Sequence, residues 1–185
     1  MSSLTTLPDS LPAPMDDGAA DHLAGLALPP VALQATSGEM IDLSKLSGRT
    51  VLYVYPMTGR PDRPLPEGWD AIPGARGCTP QSCAFRDHFA ELQACGTTVF
   101  GISSQSTGYQ REAKNRLDLP FELLSDTELV LKISLSLPTF SSSGTELYKR
   151  LTMIVTYGMI QHVFYPVFPP DRNAGDVIDW LRSAH

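Results

Sequence analysis

The chain has no excess of positive charge, few cysteines and no long apolar run. Lys and Arg number 14 against 20 Asp and Glu, for a net charge of −6 over 185 residues. No basic run or basic amphipathic stretch offsets that balance. Nucleic acid is therefore not an expected partner, because phosphate binding needs clustered Lys and Arg; a membrane surface is unexpected for the same reason. No stretch approaches the ~18 uninterrupted apolar residues of a membrane span. The opening, MSSLTTLPDSLPAPMDDG, lacks the basic and apolar segments of a secretory signal. It is rich in Ser, Thr, Pro and Asp, so residues 1–22 are expected as a loose tail before one domain over 23–185. A cytoplasmic setting is expected, where thiols stay reduced. The cysteines are only three, Cys78, Cys83 and Cys95, and an odd count argues against a disulfide framework.

What the chain does have is an alternation of strand and helix signals. Val31–Thr36 and Met40–Leu43 read as short strands about Ser37-Gly38. Thr50–Tyr55 is β-branched and aromatic and reads as a core strand. From Pro56 to Gly77, five prolines and four glycines predict a long loop without helix or strand. Loops of that length are often binding loops or lids. Thr79-Pro80 reads as a helix cap and first-turn proline, and Phe85, Phe89 and Leu92 fall on one face of the helix, which Gly96 ends. Thr97–Ser103 is a second core strand. Thr107–Leu117 is a polar helix, Pro120–Leu124 an extended piece, and Ser125-Asp126 caps a helix to about Leu135. Thr139–Gly144 reads as a flexible serine-rich loop. Arg150–Tyr157 and Ile160–Tyr165 form a hairpin, and Asp171–Ala184 closes the chain as a helix burying Val177, Ile178, Trp180 and Leu181. That order predicts an α/β fold, a mixed sheet covered by helices of the thioredoxin-like kind.

The segment Gly77-Cys78-Thr79-Pro80-Gln81-Ser82-Cys83 carries the most chemistry. Cys78 sits at a helix start, where unpaired N–H groups and the dipole favour an anion such as a thiolate. An ordinary thiol is about 3% ionised at pH 7, so full ionisation is worth at most ~30-fold in rate. A fast enzyme needs more, from donors aimed at the charge developing on substrate. Cys83 lies five residues on, about 7.5 Å along a helix. Sulfurs so placed cannot bridge, so any disulfide between them requires the first turns to unwind. The plainer reading of a helical cysteine, a small buried hydrophobe, is accepted for Cys95. The C-x4-C spacing fits neither a zinc site, with no second ligand pair, nor the C-x-x-C of dithiol exchange. His88 reads as a solvated helix position.

Gly77-Cys78-Thr79-Pro80-Gln81-Ser82-Cys83-Ala84-Phe85-Arg86-Asp87 resembles the Q-type, or bacterioferritin-comigratory-protein-like, peroxiredoxins, whose signature there is G-C-T-x-Q-x-C-x-F-R-D. The resemblance runs from about Leu28 to the last helix, through Val99–Ser103, through Leu119-Pro120-Phe121-Glu122-Leu123-Leu124-Ser125-Asp126, and through Arg150-Leu151-Thr152 before the hairpin. It implies a thioredoxin-like fold and a peroxidase without metal or organic cofactor. It implies that Cys78 is the peroxidatic cysteine, that Cys83 is the resolving cysteine closing a Cys78–Cys83 disulfide, and that Arg150 is the active-site arginine. Hydrogen peroxide or an organic hydroperoxide is the implied substrate, with Pro56, Thr58, Gly77 and Thr79 beside it. Thioredoxin or a glutaredoxin-like dithiol is the implied reductant, and a monomer is the implied state.

The chain departs from that family in one region. Where the family has a threonine three residues before the peroxidatic cysteine, this chain has Ala75. Pro56 and Cys78 are 22 residues apart (78 − 56), against 7 in the family pattern, so about 15 residues are inserted. Thr58 is the candidate to supply the missing hydroxyl if the loop folds back. Trp69 and Arg76 lie in the insertion, Trp69 as a pocket wall or as a pin for the loop. A redox sensor or binding module, or a thiol-disulfide oxidoreductase, are the competing functions for this fold.

Overall fold

The computed structural model describes residues 4–184. Its centre is a seven-stranded mixed sheet in the order β2-β1-β5-β4-β3-β8-β9. The strands are β1 (Ala32–Ala35), β2 (Met40–Asp42), β3 (Arg49–Val54), β4 (Thr97–Ser103), β5 (Glu122–Ser125), β8 (Leu151–Thr156) and β9 (Met159–Phe164). β3, β4 and β5 run parallel, and β8 pairs antiparallel with β3. The period-2 pleat sends alternate residues of β3 to opposite layers. Leu52 and Val54 join one core with Ile102, Leu124, Met153 and Val155. Val51 and Tyr53 join the other, against Phe85, Leu92, Val177, Ile178 and Leu181 of the helices.

The helices are α1 (Cys78–Asp87), α2 (Phe89–Ala94), α3 (Thr107–Arg116), α4 (Val130–Leu135) and α5 (Asn173–Ser183). The single helix expected from the phenylalanine spacing is thus two, broken at His88, whose ring instead pairs with Glu91 at 2.7 Å. Phe85 and Leu92 are still fully buried on one side of both. Asp126 does serve the next helix, but from a distance. Its carboxylate accepts from the backbone N–H of Val130 and Leu131 at 2.8 and 3.0 Å, and α4 starts only at Val130. Trp180 of α5 is half-buried, stacked on His162 of β9.

The serine-rich segment is not a flexible loop. It forms a separate hairpin, β6 (Thr139–Ser142) and β7 (Thr145–Tyr148), turned by Ser143 and Gly144. Both have positive φ, 49° and 78°, as a two-residue hairpin turn requires. Its partner is the inserted loop. Trp69, in a single 3-10 turn over Trp69–Ala71, packs with Ala75 and Leu147 and lies 6.1 Å from the Phe140 ring. The sequence places the two pieces about 70 residues apart.

The N-terminal segment, expected as a loose tail, carries no helix or strand among its described residues. It nonetheless lies on the domain. Asp17 accepts from Lys149 and Tyr165 at 2.6 and 2.7 Å, and Ala20 and Leu23 are buried in the core. Among the described residues no helix is long and apolar enough to cross a membrane.

Candidate active site

The site is assembled by β3, by α1 and by the residue before β8. Tyr53 on β3 lies opposite Gly101 on β4, where a Cβ would sit 2.7 Å from the tyrosine ring. Glycine there lets Tyr53 lie flat, stacked against Phe85 of α1 at 4.5 Å, with its hydroxyl 3.0 Å from Ser82 Oγ. Burial holds that hydroxyl protonated, well above the ordinary tyrosine range. These contacts fix α1 on the end of β3.

Cys78 is the first residue of α1, and its cap is Gly77 rather than Thr79. Gly77 has φ 107°, and a Cβ on it would meet Pro170 Cγ at 2.3 Å. Only glycine fits that conformation and that approach. Pro80 then falls in the first turn, where its missing N–H leaves no helical bond unmade.

Cys78 is 2% exposed. Its Sγ accepts from the Met57 backbone N–H at 3.4 Å and from Arg150 Nη2 at 3.2 Å, and faces the Ala75 carbonyl at 3.6 Å. Two donors, one carbonyl and a helix start therefore converge on one sulfur. Arg150 is 3% exposed. Its Nη2 also donates to the carbonyls of Gly74, Ala75 and Arg76, each at 3.2 Å, and its Nη1 donates to Gln81 Oε1. One guanidinium thus holds both the end of the inserted loop and the sulfur.

Of the other expected residues, Gly77 and Thr79 border the sulfur with Leu4, Met57, Leu65 and Trp69, around a cavity of about 10 Å³. That is barely room for one water. Trp69 both walls the cavity and pins the loop. Pro56 is buried, its carbonyl accepting from Ser103 Oγ at 3.1 Å. Thr58 does not replace the missing threonine. Its hydroxyl donates to Gln105 Oε1 at 3.2 Å, and its N–H reaches the same oxygen at 3.0 Å. Gln105, two residues after the end of β4, holds Thr58 through both bonds.

Cys83 lies on α1 but not in the cavity. It lines an open groove of about 840 Å³ with Pro80, Asp87, Phe168 and the segment Thr5–Leu11. Burial pushes its thiol up from the ordinary value. Both sulfurs are free thiols in an intact helix. Cys95 is a half-buried free thiol packed against the helical core. Among the described residues, no three His, Cys, Asp or Glu side chains lie together as a metal-donor set.

Sequence reasoning missed three groups. The Met57 amide is backbone and leaves no residue-type signal. Gln81 stood in the motif without a role. Asn173, at the start of α5, accepts on Oδ1 from Gln81 Nε2 at 2.9 Å and from Thr152 Oγ1 at 2.7 Å. A lone Asn almost a hundred residues downstream gave no sign of that.

Comparison with known proteins places this geometry. Residues 23–178 match the redoxin family. A peroxiredoxin assigned as bcp in Coxiella burnetii (strain RSA 493 / Nine Mile phase I) is 35% identical over 161 residues, covering 85% of this chain and 97% of that protein. The chloroplastic peroxiredoxin Q of Oryza sativa subsp. japonica is 30% identical over 160 residues, 86% of this chain. The chain spans 66% of the length of that rice relative. Among solved structures, the peroxidoxin BcpB of Mycobacterium tuberculosis superposes with a TM-score of 0.71 at 22% identity, over 88% of this chain and 97% of that one. A peroxiredoxin Q mutant from Xylella fastidiosa gives 0.71 at 18% identity, over 87% and 96%. These likenesses establish the thioredoxin-like fold, and with the sequence matches they settle the family: the chain belongs to the redoxins, as a peroxiredoxin of the Q, or bacterioferritin-comigratory-protein, type.

Proposed function

We propose that the protein is a thiol-dependent peroxidase acting on hydrogen peroxide and organic hydroperoxides through Cys78. The observation that carries this reading is the Cys78 sulfur held between Arg150 Nη2, the Met57 N–H and the start of α1. The thiolate attacks the terminal oxygen of the hydroperoxide. The O–O bond breaks, the departing alkoxide takes a proton and leaves as alcohol or water, and Cys78 becomes a sulfenic acid. Arg150 donates to the oxygens as charge moves from sulfur to leaving group.

Cys83 then attacks the sulfenic sulfur, hydroxide leaves as water, and a Cys78–Cys83 disulfide closes. The two sit five residues apart in a formed helix, so α1 opens at its start before they meet. An external dithiol of the thioredoxin or glutaredoxin kind reduces the bridge by exchange. Cys83, in its open groove, is the sulfur it reaches. Because both cysteines belong to one helix, the cycle needs no second subunit, and a monomer in the reducing cytoplasm is the working unit.

The test mixes reduced protein with one equivalent of hydroperoxide and follows peroxide loss, intact mass and free thiols. The expected result is rapid consumption with loss of two thiols and of two hydrogens in mass. Cys78→Ser abolishes it, and Cys83→Ser leaves a sulfenic acid on Cys78. Consumption no faster than by free cysteine refutes the proposal.

A further inference from the structure

Gln81 occupies an unusual place in α1. It is fully buried, three residues after Cys78 and two before Cys83, within the stretch that has to unwind. Its amide is gripped at both ends. Oε1 accepts from Arg150 Nη1, and Nε2 donates to Asn173 Oδ1 at 2.9 Å. A guanidinium has donors only, so it admits only the oxygen end of Gln81. That fixes the amide orientation and turns Nε2 toward residue 173, which must then present an acceptor. Asn173 is 1% exposed, so water cannot supply one in its place. Thr152, two residues after Arg150, donates to the same Oδ1 at 2.7 Å and holds the Asn173 side chain in that pose. Just ahead of Asn173, Pro170 packs on Gly77, the cap of α1.

We infer that Asn173 is a positioning residue of the peroxidase reaction, acting through Gln81. In the folded site its acceptor oxygen holds Gln81 against Arg150 and so keeps the second guanidinium arm on Cys78. During resolution the same bond resists the opening of α1, because Gln81 leaves Asn173 as residues 78–83 unwind. One contact therefore supports the attack on peroxide and opposes the disulfide step. It sets how long the sulfenic acid stays exposed to a second hydroperoxide, which oxidises it to a sulfinic acid and leaves as alcohol. This rests on the peroxidase reading given above.

The test compares full-length wild type with Asn173→Leu and Asn173→Asp. Stopped-flow gives the rate of Cys78 oxidation. Intact mass at rising hydroperoxide gives the concentration at which half of Cys78 ends as sulfinic acid rather than disulfide. Losing one buried hydrogen bond is worth roughly 2- to 10-fold. Asn173→Leu is expected to slow the first step by that factor and to raise the half-overoxidation concentration by a similar one. Asn173→Asp keeps acceptor oxygens and is expected to restore both toward wild type. Val177→Ala, a core truncation on α5, controls for general loosening and is expected to leave the overoxidation point in place. If Asn173→Leu does not fold, Asn173→Ala is measured in the same way. The inference is overturned if the Asn173 variants leave the overoxidation point unmoved, if Asn173→Asp behaves like Asn173→Leu, or if Val177→Ala shifts it equally. A wild type that consumes hydroperoxide no faster than free cysteine overturns the peroxidase reading instead.

Discussion

Replacing Arg150 by methionine separates two things a guanidinium can do for a thiol. Methionine keeps most of the length and bulk of the buried stem but brings no strong donor. What is lost is set by the contacts: a 3.2 Å bond to Cys78 Sγ, three carbonyls of residues 74–76 at 3.2 Å, and Gln81 Oε1. Through ionisation alone, a full thiolate gains ~30-fold in rate at pH 7 over an ordinary exposed thiol. As a donor to charge leaving the sulfur for the peroxide oxygen, Arg150 is worth a further ~10²–10³. The two separate when the rate is divided by the thiolate fraction, followed by its ultraviolet absorbance as pH is raised. Stopped-flow oxidation of Arg150→Met, expressed per thiolate, is expected to leave a deficit of ~10² or more. A wild-type rate per thiolate would refute the donor role. The variant also strands buried acceptors at ~1–3 kcal/mol each, so its fold must be checked by circular dichroism. Arg150→Lys keeps the charge but not the fork, and is expected to fall between the two.

Three further outcomes follow from the geometry. Hydrogen exchange of the disulfide form is expected to show lost protection from Gln81 to about Phe85, with β3 and β4 unchanged; equal protection in both redox forms would remove the unwinding step. Leu4→Ala widens the roughly 10 Å³ cavity at Cys78, so the rate with cumene hydroperoxide relative to hydrogen peroxide is expected to rise several-fold. An unchanged ratio would mean Leu4 does not limit access. Burial raises the Cys83 thiol above its ordinary value, so the folded helix keeps the proton to higher pH than the unfolded chain does. Its contribution to helix stability is complete below pH 9 and is lost as pH rises through the folded value. Alkylation of Cys83 in Cys78→Ser, followed by peptide mapping, is expected to lag free cysteine at pH 8 and to gain on it above pH 9.

Much of this protein was legible in local sequence. The strands β3, β4, β8 and β9 follow from runs of β-branched and aromatic residues, and the start of α1 from Gly77 to Pro80, although the cap, Gly77, is two residues earlier than the Thr79-Pro80 pattern implied. Cys78 and Cys83 were legible in the motif, and Arg150 only through the family resemblance. The errors have a common cause. The β6–β7 hairpin reads as loop because three consecutive serines carry no strand signal; it is held by Trp69 and Phe140, far apart in sequence. The break at His88 depends on a local Glu91 contact that helical periodicity does not register. Thr58 was a reasonable substitute for the absent threonine until Gln105 took its hydroxyl.

By itself the sequence singled out the Cys78 and Cys83 sulfurs as the candidate reacting atoms. A cysteine behind a glycine at a helix start is a chemical statement that needs no partner beyond its neighbours, because dipole and unpaired N–H groups arise within one turn. The spacing of Cys78 and Cys83 likewise required the helix to open, since a helix has only one rise per residue. Tertiary structure alone decided what surrounds that sulfur. Arg150 arrives from 72 residues away, Asn173 grips Gln81 from 92, and the inserted loop closes the cavity with help from Leu4. Hydrogen bonds across such distances depend on where the sheet puts each chain segment, and no local pattern of residues encodes that.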